Sequence, residues 1–291
     1  MKNLLKLVLM STLFSFAIQS FAQETSNIFS NMIGDCEVIL LSDGQSQGKA
    51  GILIGAEATM LEEYVPDGTF PNACNAFLVK TPEKNILIDT GTGAKLFENL
   101  AAIDVDPSQI DAILITHMHG DHIGGLLNDG QAMFLNADIY LAREEYYYWA
   151  NNKAADLART VIGAYQEQLK LFDTSSFNGE MNKIIPSVTA IAAHGHTPGH
   201  TMYMITSDGQ QLLFWGDLTH AMAIQMPYPE VAVTYDVNPE QAVETRIKVL
   251  DYIAKQNIPV AGMHIPFPAM GTIKSEGTGY VFEKIKSNEQ E

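Results

Sequence analysis

Short apolar runs alternate with polar, turn-forming breaks along most of this chain. Residues 36–41 read as a strand closed by Ser42-Asp43-Gly44. Residues 75–79 and 86–88 are further short strands, and Thr81-Pro82-Glu83-Lys84-Asn85 between them reads as a hairpin turn. Residues 112–116, 188–193 and 211–215 repeat the apolar strand pattern. Residues 143–172 have helix-forming composition and few breakers. A clearer helix begins at Asn238, an N-cap followed by Pro239 at the first helical position and by Gln241, which can close a capping box. Val243, Ile247, Leu250 and Ala254 then fall on one face at helical spacing. The next strand, 258–263, contains Pro259, which predicts an edge position. Strands interleaved with helices predict an α/β layered sandwich.

With 291 residues, 46% of them hydrophobic and 18% charged, the chain can bury a core and is not a disordered sequence. It has no internal repeat and no linker-like tract, so residues 23–291 are expected to form a single domain. The first 22 residues read as a signal peptide. Lys2 and Lys6 precede an apolar run over 7–18 that is too short to span a bilayer comfortably, and Ser20-Phe21-Ala22 offers a cleavage site before Gln23. The protein is therefore expected to be exported, periplasmic or secreted, with no stable membrane anchor. Cys36 and Cys74 lie in strand-like segments, so a disulfide and two buried free thiols both remain open. The net charge of -17 disfavours nucleic acid as a partner and favours a neutral or cationic small-molecule substrate over a polyanion.

Three of the eight histidines fall within six residues, His117-Met118-His119-Gly120-Asp121-His122. Chance would place such a run in about one chain in 3000 of this composition, so it demands a chemical reason. It follows the apolar strand over 112–116. Extended backbone sends alternate side chains to one side, so His117 and His119 can converge on one ion. A turn at Gly120 lets Asp121 and His122 face a neighbouring ion. Imidazole and carboxylate suit zinc and its transition-metal neighbours. The further donors such a site needs stand at the ends of other strands: the histidines of His194-Gly195-His196-Thr197-Pro198-Gly199-His200 after 188–193, Asp217 after 211–215 and His264 after 258–263. Taken alone, His264 is more often a hydrogen-bonded core residue and Asp217 a turn residue; the joint pattern reverses that weighting. His220 has no such support and is expected to line a pocket at most.

These residues resemble the metallo-β-lactamase superfamily, whose pattern is an H-x-H-x-D-H run, a later His before T-x-G-H, an Asp after a strand and a last His. The similarity spans roughly residue 34 to the C-terminus. The stretch from His194 to Thr201, Gly216-Asp217-Leu218, and the tail His264-Ile265-Pro266-Phe267-Pro268 with Gly271 and Glu276 to Tyr280 are similar to the branch of methyl parathion hydrolase and related lactonases.

The resemblance implies an αββα four-layer sandwich and two divalent metal ions, with zinc as the default. It assigns His117, His119 and His196 to one ion, Asp121, His122 and His264 to the other, and Asp217 to both. It places His200 behind the ligands as an orienting residue. Asp89, closing Asn85-Ile86-Leu87-Ile88-Asp89, would steady the metal loop, and His194 is a loop residue. Phe97 and Trp149 become candidates for an aromatic pocket, with plain helix packing an equal alternative.

The implied activity is hydrolysis of carboxylic esters or lactones, acyl-homoserine lactones among them, with phosphotriesters as side substrates. Its nucleophile would be hydroxide held between the ions, placed with help from Asp121. A β-lactamase, a mononuclear iron sulfur dioxygenase and a non-catalytic binding protein on the same fold are the alternatives. A homodimer is left open by the resemblance.

Overall fold

The computed structural model describes residues 27–174 and 183–285. The expected signal peptide, 1–22, lies outside them. Seven strands form the first sheet, in spatial order Ile28–Ile33, Cys36–Lys49, Thr69–Lys80, Asn85–Ile88, Ala112–Leu114, Asp138–Ala142 and Leu169–Phe172. Its first four strands are antiparallel and its last three run parallel to Asn85–Ile88. A second seven-stranded sheet follows: Lys183–Ile185, Val188–Ala192, Thr201–Ser207, Gln210–Phe214, Val260–Ala261, Met270–Glu276 and Gly279–Lys284.

Alternation along the strands builds the layers. Val38, Leu40, Phe77, Val79, Ile86 and Ile88 point into a core shared with the second sheet, where the Phe77 and Phe214 rings meet at 5.1 Å. Their neighbours Ile39, Leu41, Leu78 and Leu87 point the other way, onto the helices Leu96–Ala102, Arg143–Asn151 and Asp156–Ala164. Both faces are covered, which is why these strands read as continuous apolar runs. The helix Pro239–Gln256 covers the outside of the second sheet through Val249, Leu250 and Ile253. This is the expected αββα order.

Four sequence expectations are corrected. The strand expected to stop at Ser42-Asp43-Gly44 runs on to Lys49; the register shifts between Ser42 and Gly44, and the bulge frees Asp43 to accept from the Thr92 and Lys95 backbone N–H groups at 2.6 and 2.9 Å. Residues 143–172 form two helices and a strand, because the chain breaks after Asn151 and the alternating Leu-Lys-Leu-Phe over 169–172 pairs with Asp138–Ala142. On the last helix the buried face is Ala242, Arg246, Val249, Leu250 and Ile253; Leu250 is buried as expected, but the face is turned by about one position from Val243, Ile247 and Ala254, and Ile247 is exposed. Pro259 precedes an interior strand rather than an edge. Its carbonyl accepts from Leu213 N–H, a role that needs no donor from proline.

Candidate metal centre

The His/Asp run follows Ala112–Leu114, and His196, Asp217 and His264 follow strands of the second sheet, so the two sheets bring all seven expected donors to one end of the sandwich. The nitrogens of His117, His119 and His196 form a triangle with edges of 2.9, 3.0 and 3.2 Å. Asp217 Oδ2 lies 3.5 Å from His117 and 3.3 Å from His196. On the other side, His264 Nε2 is 3.6 Å from Asp121 Oδ2 and 3.2 Å from Asp217 Oδ2, and His122 Nε2 is 3.1 Å from Asp217 Oδ1. Asp217 thus stands between two donor sets.

These residues fit divalent cations. His122 Nε2 and Asp217 Oδ1 are buried and make no hydrogen bond despite their closeness, so each presents an open lone pair or N–H to the centre. Such orphaned polar atoms are costly unless something binds them. Three imidazole nitrogens converging at about 3 Å cannot all hydrogen-bond one another, whereas one cation can satisfy them.

A second ring of residues fixes each donor. Asp89 accepts from Thr116 N–H at 2.8 Å and holds His122 Nδ1 at 2.7 Å, which turns Nε2 inward. Asp236 holds His196 Nδ1 at 2.8 Å in the same manner. His264 Nδ1 donates to the Ala73 carbonyl, and Asn75 donates to the Gly262 and Ile265 carbonyls on either side of that ligand. His200 lies behind the donors: Nδ1 donates to Ala193 O, and Nε2 accepts from Asp217 N–H at 2.9 Å.

The protonation pattern follows from this geometry. Burial opposes charge on every histidine of the centre. His117 is held well below its ordinary value, and His119 is pushed down to about 3 by burial and by His196. Both are in the neutral, ligand-ready form. At His122, burial is outweighed by Asp217, Asp89 and Asp121, so its pKa lies well above 6.5; at His196, Asp217 and Asp236 outweigh burial and raise it to about 9. Burial works to raise the Asp217 carboxyl, but His122, His264, His117 and His220 hold it well below the usual carboxylate range. In the metal-free chain, protons sit where an arriving cation would compete with them.

The centre opens into a cavity of about 590 Å³ whose lining includes Asp121, Asp217, His264, Tyr235, Asn72 and Lys49. His220 lines it too, but does more than expected: its Nε2 is 2.9 Å from Asp217 Oδ2, its ring stacks on His264 at 4.9 Å, and with those two it forms a third potential donor group. Trp149 stands against His119, ring to ring at 5.4 Å. Phe97 stacks on Phe134 at 5.8 Å within the core beneath the helices and does not line the cavity. His194 makes its contact with Thr174, away from the donors. Cys36 and Cys74 are free.

The sequence model of the metallo-β-lactamase superfamily matches residues 69–256. The chain belongs to that superfamily. A solved structure described as the hydrolase AbOPH in the beta lactamase superfamily is similar at 28% identity and a TM-score of 0.84, with 91% of this chain and 99% of that one covered. AidC, described as a dizinc quorum-quenching lactonase in complex with a homoserine product, is similar at 26% identity and a TM-score of 0.81, with 89% and 98% covered. Hydroxyacylglutathione hydrolase of Aeromonas hydrophila is 40% identical over 141 residues, 48% of this chain and 44% of that protein. Exodeoxyribonuclease WalJ of Streptococcus pneumoniae is 38% identical over 79 residues, 25% of this chain and 29% of its own length. The chain therefore spans less than half the length of these two curated relatives. Superfamily membership and the His/Asp cluster together identify a divalent-metal site.

Sequence reasoning missed Asp236, Asn75 and Glu145. Glu145 is fully buried beside the ligand loops. None of the three belongs to a motif. Asp236 precedes the N-cap Asn238 by two residues and reads as a turn; Glu145 follows Glu144 and reads as a solvated helix face.

Proposed function

We propose that this chain is a dinuclear metal-dependent hydrolase of carboxylic esters or lactones, of the branch that includes methyl parathion hydrolase and related lactonases. The observation that carries the reading is the pair of donor sets sharing Asp217 at the floor of one cavity. His117, His119 and His196 would hold one ion, and Asp121, His122 and His264 the other, with zinc favoured by the likeness to a dizinc lactonase. When bound, the pair supplies water activated near neutral pH and a Lewis acid for the scissile carbonyl.

The chain's own residues do the rest. Asp121 lines the cavity with 40% of its side chain exposed. Burial works to raise its carboxyl, but His122 and His264 together with a backbone hydrogen bond bring it below the ordinary carboxylate value, so Oδ2 can accept a hydrogen bond from an attacking water and orient it. Tyr235 lines the cavity and offers aromatic surface for an apolar acyl or aryl group, whereas Trp149 packs behind His119. Cys74 is not positioned as a rival nucleophile: its Sγ lies 3.5 Å from the Asp121 carbonyl oxygen, and burial pushes the thiol up to about 12. A phosphodiester backbone suits this protein poorly. The net charge is -17, and Lys49 is the one cation lining the cavity among the described residues.

The test is a panel of lactones, aryl esters, a phosphotriester and a chromogenic cephalosporin, assayed on protein of measured metal content with Asp217→Ala as control. Turnover of lactone or ester that is lost in the control supports the reading. Turnover of cephalosporin alone would reassign the chain to β-lactam hydrolysis, and one iron per chain with no hydrolysis would reassign it to oxidation chemistry.

A further inference from the structure

We propose that Glu145 is the positioning residue that sets the donor triangle of His117, His119 and His196 and ties it to the Trp149 ring behind His119. The inference rests on reading those three histidines as metal donors, but not on any substrate.

Glu145 sits in the helix Arg143–Asn151 and is fully buried. Its two oxygens receive four donors. Oε1 accepts from Met118 N–H at 3.0 Å and from Trp149 Nε1. Oε2 accepts from the Thr197 hydroxyl at 2.7 Å and from Gly199 N–H at 2.9 Å. Met118 lies between His117 and His119, and Thr197 follows His196. One carboxylate therefore spans two loops that leave different sheets and together carry all three imidazoles. The approach is close by construction: a Cβ at Gly199 would lie 2.2 Å from Glu145 N.

A buried carboxylate is costly, and no described cation pairs with Glu145. Had the position served packing alone, an apolar side chain would serve at lower cost. Only an ionised or fully accepting carboxylate satisfies two donors on each oxygen. The Glu145→Gln amide would turn an N–H₂ group toward two N–H or O–H donors. Trp149 joins the same network while its ring faces His119 at 5.4 Å, so the ring packed on His119 and the donor triangle share one anchor.

The experiment is competitive titration of metal-free protein with zinc against a chromophoric chelator, with urea unfolding of the metal-free form alongside. Glu145→Gln is expected to weaken one of the two ions by 10- to 100-fold, the usual range for residues that orient ligands, and to leave the other within about threefold. Thr197→Val and Trp149→Phe each remove a single donor and are expected to weaken the same ion by a few-fold. Wild-type protein that binds no pair of ions would refute the metal-centre reading itself. Wild-type protein that binds two ions, with Glu145→Gln binding both equally well, would overturn the assignment of Glu145, even if its unfolding midpoint fell. Should Glu145→Gln fail to fold, the two single-donor variants decide: unchanged affinity in both overturns the proposal.

Discussion

Replacing Asp217 by asparagine preserves its shape and removes the one negative charge shared by the centre. In the metal-free chain that charge is buried among imidazoles, 2.9 Å from His220, 3.1 Å from His122 and 3.2 Å from His264. The rise of His196 from 6.5 to about 9 alone is worth ~3 kcal/mol, and Asp217 is a larger cause of it than Asp236. The folded-state pKa is raised, so this stabilisation is complete below 6.5 and is lost as pH climbs through about 9. Metal-free Asp217→Asn should therefore be less stable than wild type by ~3–5 kcal/mol at pH 6, the cost of breaking a buried pair, with the gap narrowing as pH climbs through about 9. Urea unfolding of chelated protein at five pH values between 6 and 10 measures it. A gap that stays constant across that range would refute the argument that Asp217 holds the histidine protons. Restoring zinc should then stabilise the wild type far more than the variant, because stabilisation grows with ligand concentration over Kd.

Three further outcomes are expected. Arg246 is buried and donates to the carbonyls of Leu218, Pro229 and Val231 at 2.7 to 2.9 Å, so Arg246→Met should cost ~3–5 kcal/mol in urea unfolding, and a loss below 1 kcal/mol would contradict the role given to it. Gly216 has a φ of +59°, and a Cβ there would lie 2.3 Å from His200 Nε2; Gly216→Ala should cost ~1–3 kcal/mol and weaken metal binding by displacing the group that holds Asp217 N–H, so unaltered binding would count against His200 as the orienting residue. Burial pushes the Cys74 thiol up to about 12, so native protein should resist alkylation at this residue at pH 8 while urea-unfolded protein yields both thiols; fast native labelling of Cys74 would show the site to be open.

The seven donors were legible because each ends or follows an apolar strand, and strand ends in a layered α/β fold converge. The layers were legible for a related reason: residues such as Val38 to Leu41 are apolar at every position, as strands covered on both faces must be. What was hidden depends on contacts between distant segments. Asp236 is 40 residues from His196, and two of the four donors to Glu145 are backbone groups that any residue could supply. Residues 143–172 read as one helix because local composition favours it, whereas the strand at Leu169–Phe172 exists through its pairing with Asp138–Ala142. The bulge at Asp43 was likewise invisible, since Ser-Asp-Gly suits a turn as well as an irregular strand.

The long ribbon made by Cys36–Lys49 and Thr69–Lys80 has a consequence for how this enzyme family member could diversify. Its outer half leaves the main sandwich and is seated on a separate small cluster formed by Val65, Phe70, Ala221, Ile224 and Val231. That outer half and its tip contribute Lys49, Ile52 and Asn72 to the cavity, yet none of the seven donors. The ceiling above the reaction chamber can thus be recut by changes at residues 45–72 while the ions' seats stay untouched.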